Sequence, residues 1–589
     1  MKKRLLFAMA LASGLMLGAC SSNDDLNGGD TGKNETSLSY LAVNINNVGA
    51  APGTRANAVD KGDGTYDNDG LYEDGIGIEN AINKVRFYFF NTDGTPYVLA
   101  NAGQAANVNY VDYAFEKNGS DHDNTIETTT KAVLVLNGQS EAAPASMLTV
   151  VNPDACDGLL GTKAIDWYTL RRATKNTADD NVSWKNDKGF VMTNSVYRAS
   201  GMDVCTTQLA GKLYTNEEDA KKDGNATDVY VERVLAKVDA EIDKDYVREG
   251  ESAPAWEQVT EEGEYKGSWK IKVGTLHIAQ SSGLTKDHDI YAWVQGWGVA
   301  DEAGSAMLTK QINVNWTDGS LGIKPWNSAD YHRCFWSQSV PFGGGNFIVN
   351  HSYNDYLKQF GSGPRYTQPN TPDQAVSNLY DNNLTKLLVA VKLGYQDGEN
   401  WKEAEICTYK GQEMLGVMRL KYIIAGEIQA QKLQVKKADG TGYEDITADN
   451  IDFEWNNTLK DYQVVAKLKG VTELYRPGDD GDYQTVAVSD VNAEMAKYPA
   501  EIRTKGQAYY YIPIKHMGSK GTVGEYGIVR NHSYKITIQD VKGFGTPVYD
   551  PSKTIVPTLP SDEKSYLAAK VNVLSWRVVN STVDLDKTK

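Results

Sequence analysis

His332 and Cys334 come closest, by type and spacing, to a nucleophile and its base. Two positions apart on a predicted strand, they share one face, as a thiolate and its proton acceptor would need. The chain contains no G-x-S-x-G, H-E-x-x-H or P-loop motif, and its seven histidines are scattered. His288, between two aspartates, is expected to mark a loop. The sequence therefore predicts no catalytic residue, no cofactor and a protein that is not an enzyme.

The acidic stretch 60–70 raises the question of calcium binding. In the calcium-loop pattern its first and last ligand positions would fall on Thr65 and Ile76, so the pattern fails and a solvated segment is predicted. Four further cysteines are far apart and lack C-x-x-C spacing. Disulfide pairing stays open for them, but isolated core cysteines are favoured over bridges: Cys156, Cys205, Cys334 and Cys407.

Cys20 ends a segment that reads as an export signal. Basic residues 2–4 precede an apolar run at 5–17 and a small residue, Ala19. The run is too short for a bilayer, which needs about 20 apolar residues as a helix. The sequence of residues 17–20 resembles the lipobox of bacterial lipoproteins, which implies acylation of Cys20. An ordinary secretory peptide is the alternative.

Composition and charge limit the classes of partner. Hydrophobic residues make up 41% of the 589-residue chain, enough for two or more domains with real cores. The formal net charge of −17 argues against a nucleic-acid partner, because phosphate binding needs a basic surface. No segment after the signal is long and apolar enough for a membrane helix. A membrane is therefore expected to be contacted only through the lipid of the precursor.

The secondary-structure elements that position the candidate residues named above are predicted to be mostly β-strands. Short apolar runs are cut by Gly, Asn and Asp, and three of them read as buried strands: Val85–Phe90, Ala132–Leu136 and Tyr230–Val238. Tyr534, Ile536 and Ile538 alternate with polar residues, which indicates a half-buried strand. One helix is predicted near 165–174, with Trp167 and Leu170 on one face. The fold class is mainly β with a few short helices.

Near the N-terminus, a strand is followed by a site suited to proteolysis. Leu41, Val43 and Ile45 alternate with small or polar residues in the predicted strand Leu38–Val48. A loop of Gly, Pro and small residues follows and contains Arg55, a natural site for a trypsin-like enzyme. On composition alone, the favoured interpretation is that Arg55 is a solvated loop residue.

The C-terminal segment Lys570–Leu585 is apolar on both faces. Its two phases of apolar residues are Val571 and Val573, and Leu574, Trp576 and Val578. Such a strand needs cover on both sides. Because a Pro-rich arm precedes it, it either forms the last strand of its own sheet or reaches another molecule as a donor strand.

One block near the C-terminus is specific. Arg530, Asn531, His532 and Tyr534, within 525–548, together with the terminal 571–576, resemble fimbrillins, and among them the major subunit of the short (minor) fimbriae of Bacteroides-type oral and gut anaerobes. Residues 231–238 are similar to the strand that closes the first domain of these proteins. Residues 331–336 are similar to a second-domain segment.

The resemblance implies a fold and a route of assembly. It implies two tandem β-sandwich (transthyretin-like) domains, export as a lipoprotein and cleavage by an arginine-specific protease, here at Arg55–Ala56. Loss of Leu38–Val48 would open an apolar groove with unpaired backbone groups. A C-terminal strand of a neighbouring subunit, here Lys570–Leu585, would fill it, and such head-to-tail contacts make a filament.

The predicted function is thus the structural shaft subunit of a cell-surface adhesive fimbria. Its expected partners are further copies of itself, anchor and tip subunits, the maturation protease and surface receptors on hosts or bacteria. The precursor is expected at the outer membrane and the mature subunit in the fimbria. The predicted divisions are a signal peptide at 1–19, a lipidated propeptide at 20–55, sandwich domains at 56–240 and 241–560, and the donor segment at 561–589.

A second hypothesis is a lipid-anchored outer-membrane β-sandwich protein that binds glycans. Twelve tryptophans would supply surfaces on which sugar rings stack. Retention of the lipid and binding of oligosaccharide by the monomer would favour it over the polymer.

Overall fold

The computed structural model describes residues 38–47, 59–60, 66–67, 77–100, 107–114, 130–137, 143–176, 184–195, 197–199, 202–222, 224–260, 267–279, 285–312, 336–340, 348–381, 383–455, 460, 462–557 and 566–575. Within these residues there are 36 strands and six α-helices, most of them short. The predicted mainly β fold is confirmed.

The described residues as far as 242 contain fourteen strands and four α-helices. In order they are β1 Leu38–Asn47, β2 Val59–Asp60, β3 Tyr66–Asp67, α1 Gly77–Asn80, β4 Lys84–Phe90, β5 Tyr110–Ala114, β6 Thr130–Asn137, β7 Ser146–Val151, α2 Asp157–Leu160, α3 Trp167–Arg171, β8 Thr174–Asn176, β9 Met192–Asn194, β10 Tyr197–Ala199, β11 Met202–Val204, β12 Thr207–Gln208, α4 Glu217–Ala220, β13 Thr227–Arg233 and β14 Ala236–Ile242.

The middle of the chain adds the long strands of a second sheet and then a separate group of elements. These are β15 Trp256–Gln258, β16 Trp269–Ala279, β17 Thr285–Ala300, β18 Glu302–Ala303, β19 Ser305–Met307, β20 Ile348–Val349, β21 Arg365–Thr367, β22 Lys386–Asp397, β23 Asn400–Glu403, β24 Ile406–Tyr409, β25 Gln412–Leu415, α5 Val417–Ala430, β26 Gln434–Lys436, β27 Tyr443–Asp445, β28 Ile451–Trp455, β29 Gln463–Leu468, β30 Leu474–Pro477, β31 Tyr483–Val486, α6 Val488–Met495 and β32 Ala500–Ile502.

The chain then returns to the second sheet. Its last described strands are β33 Gln507–Pro513, β34 His532–Lys542, β35 Thr546–Pro547 and β36 Tyr566–Ser575. Four short 3-10 helices lie at Pro153–Cys156, Tyr353–Tyr356, Ala448–Asn450 and Thr504–Gly506.

An eight-stranded sheet carries the first core. Its order is β5-β4-β7-β9-β13-β1-β6, with β12 beside β7. Apolar side chains from most of these strands pack with those of α2 and α3 into one cluster, and the predicted strand Val85–Phe90 is confirmed as β4 within it. The first strand of the described chain therefore lies inside the sheet and not at its edge.

Helix α3 confirms the helix predicted near 165–174, over a shorter range. The Asp166 carboxylate accepts a hydrogen bond from the Thr169 backbone N–H at 2.9 Å and caps the helix start. Trp167 and Leu170 are both buried, as predicted. The helix ends at Arg171, and strand β8 begins at Thr174.

The strand predicted at Ala132–Leu136 exists as β6, but its expected burial on both faces is wrong. Ala132, Leu134 and Leu136 are buried, whereas Val135 is 45% exposed. Among the described residues β6 is the last strand in the sheet order, and the face that carries Val135 is partly open to solvent.

The predicted strand Tyr230–Val238 is two strands. β13 belongs to the eight-stranded sheet and β14 to a four-stranded sheet, with Val234 and Leu235 between them. Both linking residues are buried in the first core, and Ala236 already lies in the second. The sequence pattern is continuous because both sheets bury this stretch. The predicted domain boundary at residue 240 stays a prediction.

Two sheets enclose the second core. The four-stranded sheet has the order β21-β14-β34-β36, and the other has the order β15-β16-β17-β22-β33-β35 with β23 beside β22. Apolar residues of both sheets form one cluster, so they are the two layers of a sandwich. The predicted alternation on β34 is confirmed, because Tyr534, Ile536 and Ile538 are fully buried.

A third core lies between β23 and β33 in the chain. Residues from Cys407 to Ile502 form it, with a five-stranded sheet of order β25-β24-β32-β29-β28 and helices α5 and α6 around it. A four-stranded sheet of order β27-β26-β30-β31 completes this group.

His288 is not in a loop, contrary to the prediction. It lies in β17, opposite Leu276 of β16, and its ring packs edge-on against Tyr395 with the ring centroids 4.7 Å apart. The acidic neighbours that suggested a loop are accommodated because alternate residues of a strand point to opposite faces.

Candidate assembly site

Strand β1 fills a slot between two strands that do not pair with each other in the sheet order. It pairs in parallel with β13, from Val43 opposite Thr227 to Asn47 opposite Val231. On its other side it pairs antiparallel with β6, from Leu38 opposite Asn137 to Ile45 opposite Thr130. The space that β1 occupies between β13 and β6 is the β1 slot. Backbone groups of both flanking strands are therefore satisfied by β1.

The side chains of β1 that face the core are the ones the sequence pattern selected. Leu41, Val43 and Ile45 each have 0% exposure and belong to the first core. Burial of such a side chain stabilises the folded state by about 1.5–3 kcal/mol. A further bridge joins Tyr40 and Tyr214, whose backbone groups exchange hydrogen bonds of 2.7 and 3.0 Å. Strand β1 is thus an integral part of the first core.

Removing β1 would leave two open strand edges. Within the described residues, β6 has β1 as its one sheet neighbour, and β13 would keep β9 alone. Leu134, Leu136 and Val229, which now pack in the same core, would face the gap. An apolar groove bordered by unpaired backbone groups is a template for another strand.

The residues that would release β1 lie outside the described residues. These are Cys20, predicted to carry lipid, and Arg55 and Ala56, predicted to flank the cleaved bond. Their roles stay predictions.

Strand β36 contains the first half of the predicted donor segment and pairs within its own chain. It lies antiparallel to β34, from Tyr566 opposite Lys542 to Ser575 opposite His532. It forms one edge of the four-stranded sheet, and its buried Leu567 and Ala569 join the second core.

The predicted donor residues divide at the end of this strand. Val571, Val573 and Leu574 occupy ladder positions opposite Ile536, Tyr534 and Ser533. Trp576 and Val578 lie outside the described residues. The described chain therefore shows the alternative that the sequence left open, a last strand in its own sheet, as far as Ser575.

A buried ionic cluster joins the two cores next to the slot. The Arg530 Nε atom lies 2.9 Å from Oε1 of Glu232, and Lys310 Nζ lies 3.0 Å from Oε2 of the same carboxylate. Arg530 also donates hydrogen bonds to the Leu308 carbonyl at 3.2 Å and to Thr193 Oγ1 at 3.0 Å. We call Glu232, Lys310 and Arg530 the junction cluster. Because Glu232 follows Val231 in β13, the cluster fixes one end of the slot wall.

Asn531, which follows Arg530, contacts the segment Val234–Leu235 that links the two sheets. Its backbone is in the left-handed region, with φ of 56°, a conformation that Asn tolerates better than most residues. Its N–H donates to the Leu235 carbonyl at 2.9 Å, and its Oδ1 accepts from the Arg233 N–H at 3.1 Å. Arg233 in turn donates to the Glu79 carbonyl at 2.7 Å.

The Arg-Asn-His block, on which the resemblance rested, therefore connects the first core to the second. His532 is fully enclosed, and burial together with the nearby His516 holds its pKa well below the usual 6.5. Sequence reasoning did not identify Glu232 or Lys310. Adjacent charges, Glu232 and Arg233, within an apolar run were the one available signal, because charges are rarely buried without a partner.

The described residues offer no metal-binding arrangement to set beside this site. They contain no group of three or more His, Cys, Asp or Glu side chains placed to hold a metal ion. Cys156, Cys205 and Cys407 are buried free thiols, which agrees with the favoured reading, while Cys334 and His332 lie outside the described residues.

Two observations bear on the other sequence hypotheses. Each tryptophan that the structure describes is buried or half-buried, so none is fully exposed. Among the helices of the described chain, none combines the length and the apolar character needed to cross a membrane.

A comparison with known protein families gives a match for the C-terminal part of the chain. Residues 503–582 match the family described as "Major fimbrial subunit protein type IV, Fimbrillin, C-terminal". These residues include β33, β34, β36 and the Arg-Asn-His turn. The predicted resemblance to fimbrillins is confirmed by this match in the C-terminal region. No curated protein matches the chain by sequence.

Several solved structures are similar to the chain at low identity. One is a fimbrilin of Porphyromonas gingivalis, with 11% identity over 92% of this chain and 98% of that chain and a TM-score of 0.33. Another is the tip fimbrial protein Mfa3 of Porphyromonas gingivalis, with a C-terminal truncation, at 9% identity over 92% of this chain and 100% of that chain and a TM-score of 0.29. Likenesses this weak support no statement about function.

Proposed function

We propose that this protein is the structural shaft subunit of an adhesive cell-surface fimbria. The observation that supports the proposal most strongly is the position of β1, which lies between β13 and β6 and buries Leu41, Val43 and Ile45. A strand that completes the core and precedes the predicted cleavage site at Arg55 is suited to removal and replacement. The fimbrillin match of residues 503–582 supports the same class of protein.

The proposed assembly route has three steps. The chain is exported and acylated at Cys20, which tethers the precursor to the outer membrane. An arginine-specific protease cuts the Arg55–Ala56 bond, and β1 leaves together with the lipid. The C-terminal segment Lys570–Leu585 of a neighbouring subunit then pairs in the β1 slot by donor-strand exchange. Repetition of this non-closing contact produces a filament.

The proposed partners follow from this route. They are further copies of the chain, anchor and tip subunits, the protease and the surface receptors that the fimbria would bind. The lipid of the precursor is the proposed membrane contact.

The N-terminal sequence of the surface form tests the cleavage step. We expect it to begin at Ala56 and to lack both lipid and Cys20. Arg55→Ala should hold the chain at the membrane in its lipidated form, whereas Arg172→Ala, at an exposed position beside α3, should mature normally. Normal maturation of Arg55→Ala would show that cleavage occurs elsewhere.

Deletion of residues 570–589 tests the donor. SDS-resistant oligomers should disappear while a folded, exported monomer remains, and a synthetic peptide of residues 570–585 should bind the processed monomer. Because the deletion also removes part of β36, circular dichroism and thermal unfolding of the deletion protein must show that β34 and the second core persist. Polymer that survives the deletion would refute the donor assignment.

A further inference from the structure

We propose that Lys386 and Asn350 form an amide bond within the chain, and that Asp301 transfers the protons of this reaction. The bond joins the Lys386 Nζ atom to the Asn350 Cγ atom and releases ammonia. It is a covalent modification inside one subunit, so the strand exchange proposed above neither requires it nor excludes it.

The three residues come from different strands that sheet pairing brings together. Asp301 follows β17 directly, Asn350 follows β20, and Lys386 is the first residue of β22. Strand β17 pairs with β22, and β18, which begins after Asp301, pairs with β20. The backbone of Asp301 is in the left-handed region, with φ of 52°, which Asp tolerates better than most residues. The meeting point of the three side chains is therefore set by the strands.

One carboxyl group bridges the amine and the amide. The Lys386 Nζ atom lies 2.5 Å from Asp301 Oδ2, and the Asn350 Nδ2 atom donates a hydrogen bond to Asp301 Oδ1 at 2.7 Å. Nζ also donates to the carbonyls of Asp381 at 2.7 Å and Leu384 at 3.0 Å, which hold the amine beside the carboxyl. Because the amine and the amide contact the same carboxyl, a rotation of the Lys386 side chain directs Nζ toward Asn350 Cγ.

The surroundings of the pair favour the nucleophilic form of lysine. The side chains of Lys386 and Asp301 both have 0% exposure. Burial lowers the pKa of the Lys386 ammonium and raises the pKa of the Asp301 carboxyl. Only the neutral amine has a lone pair for attack, so burial increases the fraction of Lys386 that can react.

The amide oxygen of Asn350 has donors that suit the charge of an addition step. Its Oδ1 atom accepts a hydrogen bond from the Asp301 backbone N–H at 2.8 Å, and the hydroxyl of the buried Tyr356 donates to it at 3.4 Å. When Nζ adds to Cγ, negative charge develops on this oxygen. Donors already aimed at that position stabilise the charge without reorganisation.

The proposed reaction balances without transfer of electrons to or from another molecule. The Nζ–Cγ bond forms first, and Asp301 accepts a proton from Nζ through Oδ2. Asp301 then gives a proton to Asn350 Nδ2 through Oδ1, the Cγ–Nδ2 bond breaks and ammonia leaves. The products are one secondary amide and ammonia, and Asp301 returns to its starting state.

The bond would fasten a covering segment to a central strand of the second core. Tyr353 and Tyr356, in the 3-10 helix after Asn350, pack with Ala300 and Leu388 in a small apolar cluster outside that core. Strand β22, which Lys386 begins, lies between β17 and β33 in the sheet order. In the filament proposed above, a covalent link at this point would resist separation of the segment when the subunit is pulled.

Mass spectrometry of the purified full-length chain tests the proposal. Trypsin does not cut after an acylated lysine, so residues 366–392 should stay uncut at Lys386 and remain joined to residues 334–358, which contain Asn350. The mass of the joined pair should be one ammonia below the sum of the two peptides. Fragmentation should locate the bond at Lys386 and Asn350.

Two variants and a matched control assign the roles. Lys386→Arg should give only separate peptides, because a guanidinium is not a nucleophile. Asp301→Asn should lower the joined fraction at least about tenfold, since the proton-transferring carboxyl is gone. Lys402→Arg, at a side chain that is 53% exposed and paired with Asp397, should leave the joined fraction unchanged. Circular dichroism of each variant checks that it is folded.

Three results would overturn the proposal, and the first two need no variant. Separate peptides with normal cleavage at Lys386 in the natural chain would show that Lys386 and Asp301 form an ion pair only. A joined pair short by one water, with the bond at Asp301, would show that the carboxyl and not the amide is the acceptor. An unchanged joined fraction in folded Asp301→Asn would show that Asp301 does not transfer the protons. None of these results bears on cleavage at Arg55 or on polymer formation, so the proposed function is tested separately.

Discussion

Arg530 and Glu232 form an ion pair across the two cores, with Arg530 Nε 2.9 Å from Glu232 Oε1 and each side chain only 3% exposed. Glu232 belongs to β13, the wall of the β1 slot, and Arg530 precedes β34, the partner of β36. One contact therefore links the strand that would receive a donor to the strand that holds the predicted donor segment.

Breaking this ion pair should lower the unfolding free energy of the protein substantially. Arg530→Ala leaves the Glu232 carboxylate short of one of its two cations, and loss of one partner from a buried pair costs about 3–5 kcal/mol of unfolding free energy. Guanidinium unfolding followed by tryptophan fluorescence measures the change. Replacement of Glu232, Lys310 and Arg530 together by Met should restore part of the loss, because no buried charge remains.

A matched surface variant separates burial from charge. Lys497→Met removes an ion pair with Glu494 whose side chains are 63% and 54% exposed. We expect a change within about 0.5 kcal/mol. Equal effects of Lys497→Met and Arg530→Ala would contradict the structural role of the junction cluster.

The core face of β1 should control how firmly it is held. Ile45 is fully buried, so Ile45→Ala should cost about 2–5 kcal/mol in the uncleaved chain and speed release of the cleaved N-terminal peptide. Denaturant unfolding of the precursor and the dissociation rate of the peptide after cleavage measure the two effects. Ser39→Ala, at a half-buried position of the same strand, should change both little, and a larger effect there would argue against the assigned register.

Stability should fall as the pH drops below about 6.5, the ordinary His pKa. Burial and the neighbouring His516 hold the pKa of His532 well below that value in the folded protein. Below pH 6.5 the unfolded chain therefore binds more protons at this residue, and the unfolding free energy decreases. Urea midpoints between pH 7.5 and 5 should fall less steeply for His532→Gln than for the natural chain.

His351 should affect the pH dependence of the unfolding free energy in the opposite direction to His532. A hydrogen bond to Glu302 raises its pKa in the folded protein above 6.5. Its stabilising effect is complete below pH 6.5 and is lost as the pH rises through the folded pKa. His351→Gln should therefore make the decline on acidification steeper, and a flatter profile would contradict the assigned contact.

The buried cysteines should be chemically inert in the folded protein. Burial raises the pKa of both Cys205 and Cys407 to about 12, so at pH 8 each is a neutral thiol. Iodoacetamide should leave both unmodified in native protein and alkylate them in guanidinium, as read by mass spectrometry of tryptic peptides. Rapid alkylation under native conditions would show that these thiols are accessible.

Alternation of apolar and polar residues by itself determined the local elements. It predicted the core face of β1 and β34 and the buried pair of α3, because a strand or helix with one apolar face must bury that face. The family resemblance likewise rested on residues 525–538, which lie within the matched region.

The tertiary structure decided what local pattern does not encode. Residues 230–238 read as one strand, yet sheet pairing divides them at Val234–Leu235 between two cores. Val135 is exposed although its run reads as fully apolar, and β1 is central because β13 and β6 flank it. Partners 78 and 298 residues apart hold the junction, Lys310 with Glu232 and Asn531 with Arg233, and such pairings follow from the path of the whole chain.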